Sequence, residues 1–264
     1  VLARHKPAAI IHFAAFIEVG FSVAEPGAFY ANNVGGTITL VEAARRAGID
    51  KLVFSSTCAT YGDPVRLPMD ETHPQAPLNP YGRSKLMVEQ ALADYSKYAG
   101  FRSVCLRYFN AAGSDPLSRI GERHDPETHL IPLAIDAALG RRPPLSLFGD
   151  DYDTPDGTCI RDYVHVCDLA DAHVAALARL AEGHSPFTAN LGTAKGFSVR
   201  EVIDAVSDVM GIPVPHSIAP RRPGDPSALV CSNARAQNLL GWKPAYTELK
   251  DIIRHAADFR KDNP

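Results

Sequence analysis

Hydrophobic residues fall along this chain in two alternating patterns. Short unbroken runs, AAIIHFAA (8–15), KLVFSS (51–56) and SVCLRYFN (103–110), have the length and content of strands buried on both faces. Between them the apolar positions take helical spacing, which predicts helices over about Pro26–Gly48 and over 81–99. Pro26 stands near the start of the first and Gly48 at its end, where each suits the backbone. Strands alternating with helices predict an α/β fold on a doubly wound parallel sheet. Ligands of such sheets bind beyond the carboxyl ends of the strands.

After Asn110 the pattern loosens. Gly, Pro and Asp punctuate 111–165 (AAGSDP, GRRPP, GDDYDTPDG), with one helix near 129–140. Order returns with an amphipathic helix at 168–183 and a strand at 187–192. A helix over 198–211 opens on Ser198 with Glu201 three residues on, a capping box, and closes on Gly211. NARAQNLLGW and a helix near 247–261 finish the chain. The expected organisation is a first domain over 1–110 and a smaller α/β substrate domain over 111–264. Segments at about 150–192 are expected to return to the first.

Composition narrows the function. The 264 residues are 45% hydrophobic and 22% charged, with a net charge of -3 and a pI near 6.4. That balance gives no global attraction to nucleic acid or to an anionic membrane, so any anion must be held by local cations. Cys58, Cys105, Cys159, Cys167 and Cys231 are odd in number and lack CxxC or Cys/His ligand spacing. Reduced thiols in a cytoplasmic protein are expected, with no metal centre and neither membrane span nor leader. Val1 is not Met and a buried-strand run begins at Ala8, so the chain is expected to begin inside a domain.

Two Tyr–Lys pairs have i,i+4 spacing: Tyr81 with Lys85 in PYGRSK, and Tyr246 with Lys250 in YTELK. On a helix both members share one face. With 9 Tyr in the chain such spacing arises by accident about 0.3 times, so context must choose between the pairs. The strand before Tyr81 ends in Ser55, Ser56 and Thr57, placing hydroxyls at a strand's carboxyl end; Tyr246 has no such strand before it. A cation about 4 Å from a phenol favours the phenolate by roughly 4 kcal/mol at an effective dielectric of 20, or about 3 pKa units. Lys85 is therefore expected to bring Tyr81 toward physiological pH, where it can act as a base.

FSSTCATYG (54–62), PYGRSK (80–85) and LRYFNAAG (106–113) resemble the extended short-chain dehydrogenase/reductase family. IIHFAA (10–15), NNVGGT (32–37), SKLMVEQ (84–90), LFGDDYDTPDGTCIRDYVHVCDLADAH (147–173), NLGTAKGFSV (190–199) and APRRPGDP (219–226) extend the likeness to members that invert C4 of UDP-hexoses. The resemblance implies a Rossmann-like fold, NAD as cofactor, and interconversion of UDP-glucose and UDP-galactose through a transient 4-keto sugar. It makes Tyr81 the catalytic base, Lys85 its modulator on the nicotinamide ribose, and Thr57 the catalytic Ser/Thr. By the same likeness Phe13, Ala14, Ala15, Asn32, Ser55, Ser56 and Tyr108 join Tyr81 and Lys85 along the cofactor. The UDP-sugar falls to Thr57, Tyr81, Asn110, His129, Leu130, Phe148, Arg161, Arg222, Asp225 and Leu229. Arg161 and Arg222 make physical sense as pyrophosphate clamps, because guanidinium forks match phosphate oxygens. A homodimer through the helices near 26–48 and 81–99 is implied as well.

The chain also departs from the family. No GxxGxxG occurs in it, so the Gly-rich loop and roughly 65 residues, two strand–helix units, are expected to lie before Val1. Ile17 stands where many of these epimerases carry Lys, and His129 where some carry Asn. Leu229 replaces a bulky Tyr of some members, which is expected to widen the pocket toward N-acetylated UDP-hexoses (UDP-GlcNAc/GalNAc). A dehydratase or decarboxylase is the nearest rival. Dehydration needs an acid/base pair, commonly Asp-Glu, just after Thr57, where Cys58 and Ala59 stand. The other alternative is a catalytically inactive UDP-sugar-binding remnant.

Overall fold

The computed structural model describes residues 1–222 and 224–263. In chain order the elements are α1 (Leu2–His5), β1 (Ile10–His12), α2 (Val19–Ala24), α3 (Pro26–Phe29), a π-helical stretch (Tyr30–Gly35), α4 (Gly36–Arg46), β2 (Lys51–Thr57), a 3-10 turn (Cys58–Thr60), α5 (Pro80–Ala99), β3 (Arg102–Tyr108), β4 (Asn110–Ala112) and α6 (Leu130–Ala138). They continue with β5 (Leu145–Phe148), β6 (Ile160–Arg161), β7 (Tyr163–His165), α7 (Val166–Ala181), β8 (Phe187–Leu191), β9 (Phe197–Ser198), α8 (Val199–Met210), β10 (His216–Ala219), β11 (Ala228–Leu229), α9 (Ala234–Leu240) and α10 (Leu249–Asp262).

The three apolar runs and FTANL assemble into one parallel sheet of order β1-β2-β3-β8. Ile10 pairs with Leu52, Lys51 with Arg102, and Val104 with Phe187. Alternate side chains leave the sheet on opposite faces, and both faces are covered. Val53, Val104, Leu106, Ala189 and Leu191 pack against Leu169, Ala172, Ala176 and Leu180 of α7. Leu52, Phe54 and Cys105 pack against Val88 and Leu92 of α5 and Val41 and Ala44 of α4. Helices on both faces make the sheet doubly wound, as the hydrophobic pattern predicts.

A second core gathers around β5, where Leu145 and Leu147 meet Ile131 and Ile135 of α6, Val202 and Val206 of α8, and Ile252 and Ile253 of α10. Helix α8 starts as expected: the Glu201 amide donates to Ser198 Oγ at 3.0 Å, the Ser198 amide donates to Glu201 Oε2 at 2.7 Å, and Gly211 closes the helix at φ +66°.

Two elements differ from expectation. The strand expected over 8–15 keeps only Ile10–His12 in the ladder, and the chain then turns outward through the exposed Phe13. The single helix expected over Pro26–Gly48 is three consecutive pieces, with a π-helical stretch between α3 and α4. Asn33 sits in that stretch and explains it locally. Its carbonyl accepts from Thr37 Oγ1 at 2.6 Å, while its side chain is fully engaged elsewhere. Such single-turn π segments concentrate at functional sites.

Candidate active site

The carboxyl end of β2 carries three consecutive hydroxyls that go three ways. Ser55 Oγ meets Nε2 of His173, on α7, at 3.0 Å. Ser56 Oγ donates to the Glu89 carboxylate of α5. Thr57 Oγ1 accepts from the Ala59 amide at 3.2 Å and so caps the Cys58–Thr60 turn. Ser55 and Ser56 are buried and their hydroxyls are engaged within the protein.

That turn receives the start of α5. Asn79 caps the helix by accepting from the Gly82 amide at 2.9 Å, and Pro80 takes the first helical position. Gly82 lets the helix seat closely, because a Cβ there would overlap the Ala59 carbonyl. Tyr81 is thereby delivered to Thr57. One turn on, Lys85 is buried at 3% exposure, donates from Nζ to the Ser55 carbonyl at 2.9 Å, and lies 4.8 Å over the Phe54 ring.

The electrostatics differ from the sequence expectation. Burial pushes the Tyr81 phenol above its ordinary value, with Tyr108 adding in the same direction and a hydrogen bond with Thr57 opposing it. Lys85 is not among the groups acting on Tyr81, because its ammonium is turned onto the strand carbonyl. Lys85 itself is lowered to about 8 by burial, with Glu89 acting to raise it. The expected lowering of the Tyr81 phenol by Lys85 is thus absent from this arrangement.

The structure also explains the second Tyr–Lys pair. Tyr246 stacks against His165 with ring centroids 4.2 Å apart, whereas Lys250 reaches out to an exposed ion pair with Asp208 at 2.8 Å. The two side chains serve different surfaces, and among the described residues no strand-end hydroxyl joins them.

The remaining expected residues form three groups. Phe13 is 57% exposed beyond β1, its ring 4.7 Å from that of His173, and Tyr108, which ends β3, has its ring 6.3 Å from the same histidine. Ala14, Ala15 and Asn32 lie beside Phe13 and the π-helical stretch, with Asn32 Nδ2 donating to Asn33 Oδ1 at 3.0 Å. Asn110, His129 and Leu130 line one cavity together with Glu122, Tyr163 and Arg260. In the β9-β6-β11 sheet Arg161 stands between Phe197 on one side and Leu229 on the other, and it is ion-paired with Asp225. The Arg222 guanidinium lies 3.9 Å over the Phe148 ring.

Four features escaped the sequence reading. Asn33 clamps the loop after β1, accepting from the Phe16 amide at 2.8 Å and donating to the Phe16 carbonyl at 3.0 Å and to Ser84 Oγ at 3.1 Å. Asp162 is wholly buried; its carboxylate accepts from the Thr193 amide and hydroxyl, each at 2.8 Å, and its carbonyl accepts from Asn110 Nδ2 at 2.9 Å. Glu89 and Arg107 form a buried ion pair beneath the strand-end hydroxyls. Glu122, His124, Glu127 and His129 bring their ligand-type atoms within 4.8 Å of one another. The two carboxylates raise His129 to about 10, so a proton on its ring bridges this group at neutral pH. A search for Cys/His ligand spacing passes over it, because two of its four members are glutamates.

Comparison with known proteins fixes the class. The model of the NAD dependent epimerase/dehydratase family matches residues 1–192, and the chain belongs to that family. Within it, the likeness to UDP-glucose 4-epimerases is extensive. The chain is 60% identical to the UDP-glucose 4-epimerase of Rhizobium leguminosarum bv. trifolii over 98% of its own length and 79% of the relative's. The crystal structure of UDP-glucose 4-epimerase from Brucella ovis in complex with NAD superposes with a TM-score of 0.95 at 51% identity, over 98% of this chain and 80% of that one. The Stenotrophomonas maltophila UDP-glucose-4-epimerase, with bound NAD and formylated UDP-arabinopyranose, gives 0.96 at 40% identity over 99% and 78%.

Proposed function

We propose that this chain is an NAD-dependent isomerase that inverts C4 of a UDP-hexose, interconverting UDP-glucose and UDP-galactose. The observation that carries the reading is the convergence of the Tyr81 and Thr57 hydroxyls at the carboxyl end of β2, with buried Lys85 one turn behind. The residues present fit the nicotinamide half of the cofactor. Lys85 spends one of its three N–H donors on Ser55, and Phe13 offers an open ring at the end of β1. Held there in its oxidised form, NAD would supply a reversible hydride acceptor for the sugar C4 and a positive charge.

The chain's own groups handle the proton and the substrate. Tyr81 takes the proton of the sugar 4-OH and gives it back after the 4-keto sugar has turned, and with the hydride also restored to C4 no net oxidation results. Because burial favours the neutral phenol, Tyr81 ionises only when positive charge gathers around it. Thr57 hydrogen-bonds the same sugar hydroxyl. Arg161 and Arg222 hold the pyrophosphate, exchanging their present partners Asp225 and Phe148 for phosphate oxygens. Asn110, His129, Leu130, Phe148, Asp225 and Leu229 complete the UDP-sugar site. Ala14, Ala15, Asn32, Ser55, Ser56 and Tyr108 flank the cofactor. The cofactor part comprises 1–110 with returning segments around 150–192, a division supported by β8 and α7 joining the first sheet. Burial pushes the Cys58 thiol up to about 12, which removes it as an acid/base partner for dehydration.

The protein is cytoplasmic on this reading, consistent with five unpaired thiols, and pairs through helices near 26–48 and 81–99, where Met87 and Tyr98 of α5 are exposed. Leu229→Tyr should narrow the pocket and lower turnover of UDP-GalNAc relative to UDP-galactose; equal ratios in both proteins refute the width argument. The reaction itself is tested by supplying NAD and UDP-galactose and following UDP-glucose.

A further inference from the structure

The least explained feature near the site is the charge buried beneath it. Glu89 lies one helical turn beyond Lys85 and two beyond Tyr81, on the same face of α5. It is 7% exposed. Its carboxylate is gripped by Arg107 of β3, whose Nε donates to Oε1 at 2.9 Å and Oε2 at 3.2 Å, and by the Ser56 hydroxyl. Arg107 is itself fixed, donating from Nη1 to the Tyr61 hydroxyl at 2.9 Å, and that hydroxyl donates to Asn190 Oδ1 at 2.6 Å. Arg107 and Ser56 thus hold the carboxylate directly, and Tyr61 and Asn190 hold Arg107 behind it.

The environment of Lys85 gives this arrangement a purpose. Its ammonium has one hydrogen-bond partner, a neutral carbonyl, and sits over an aromatic ring in a buried site. Among the described residues no carboxylate touches it. The titratable groups that act on it or that it acts on are Glu89, on its own helix, and His12 of β1; His173 stands behind Ser55, the residue whose carbonyl it holds, and Arg107 of β3 stands behind Glu89. His12, bonded to Thr37 Oγ1 at 2.9 Å, is lowered by burial and by Lys85 itself, so it adds no charge at neutral pH. His173 is lowered by burial as well. Glu89 is the anion among them.

We propose that Glu89 is a positioning residue that keeps Lys85 protonated from a distance, with Arg107 and Ser56 locking its carboxylate in place. A carboxylate in direct contact would bind the ammonium away from the site; one set a turn behind favours the charge and leaves the N–H donors free. Burial alone depresses Lys85, and Glu89 is the group acting against that depression. The consequence for reactivity rests on the epimerase reading, but the effect on Lys85 does not.

The test separates the two. In the protein labelled with ¹⁵N-lysine, the Lys85 ammonium is titrated by NMR, with Lys85→Arg identifying its signal. Glu89→Gln should lower the Lys85 pKa by about 1 to 2 units, since one charge a helical turn away is removed and Arg107 is left unbalanced. Glu89→Gln/Arg107→Met, which avoids an unpaired buried cation, should retain the fold and give a smaller fall. Titration of Lys85 at the wild-type value in both variants overturns the proposal. The kinetic arm uses protein loaded with NAD: the alkaline limb of the kcat/KM profile for UDP-galactose should move to lower pH by the same shift. A uniform loss at every pH with unmoved limbs marks a structural role and also overturns it. If the wild type does not turn over UDP-galactose, the epimerase reading fails while the lysine titration still decides this one.

Discussion

Gly82 governs how closely α5 seats on the turn after β2, and through that seat the meeting of Tyr81 with Thr57. Gly82→Ala forces its methyl into the Ala59 backbone carbonyl, which cannot retreat as a flexible side chain would. A loss of about 1–3 kcal/mol of stability is expected, as for other overpacked sites. Turnover should fall further than stability explains, because the two hydroxyls separate; denaturant unfolding alongside kcat measures both. Tyr81→Phe removes the proton carrier and little else, so a loss of about 10²–10⁴ in kcat is expected with unfolding unchanged. Lys250→Ala supplies the contrast. Its partner Asp208 is 62% exposed, and the substitution should leave activity intact and stability within about 0.5 kcal/mol. Spacing made the two Tyr–Lys pairs equal in the sequence, and only the strand-end hydroxyls before Tyr81 distinguished them. That the Tyr81 phenol is raised was not legible at all, and the expected lowering failed for a physical reason. That lowering assumed a lysine aimed at its tyrosine, whereas the Ser55 carbonyl, contributed by another element, takes the ammonium.

At the scale of elements, long local patterns were readable and short strands with distant partners were not. The capping box and closing glycine of α8 lie within fourteen residues, and the helix follows them. β5 and β10 are four residues each, and Leu145 finds its partner at His216, so neither has a local signature. The break in the helix over 26–48 was hidden for a related reason. It depends on Asn33 reaching the Phe16 loop and Ser84, contacts that no helical periodicity encodes. The segment before α6 carries a pH dependence of its own. His129 is raised to about 10 by the carboxylates of Glu122 and Glu127, so its stabilisation is complete below its ordinary value of 6.5 and is lost as pH rises from there through 10. The side chain is 44% exposed, which discounts the contribution to about 1 kcal/mol. The melting temperature of the wild type should exceed that of His129→Asn by about 2 °C at pH 6, and the gap should close by pH 10.5. A gap constant across that range would show that the histidine contributes by packing rather than charge.

Across the whole molecule, one sheet with helices on both faces is joined by a second core built from α6, α8 and α10, which the chain enters beyond the carboxyl end of β3 through Ala112 of β4. The expected sugar-contacting residues are spread over β4, α6, β5, β6 and the 222–229 segment, while the proton-handling pair sits on β2 and α5. On the proposed epimerase reading, catalysis depends on both parts meeting around one UDP-hexose, with Tyr81 as the proton carrier. The most direct test is to incubate the purified protein with NAD and UDP-galactose and follow C4 inversion by NMR. Protein recovered from the reaction is then denatured and its released NAD measured. UDP-glucose should accumulate to equilibrium without net NADH, with NAD released from wild type and Tyr81→Phe alike and turnover from the wild type alone. Equal turnover by Tyr81→Phe, or none by wild-type protein that has bound NAD, would contradict the account.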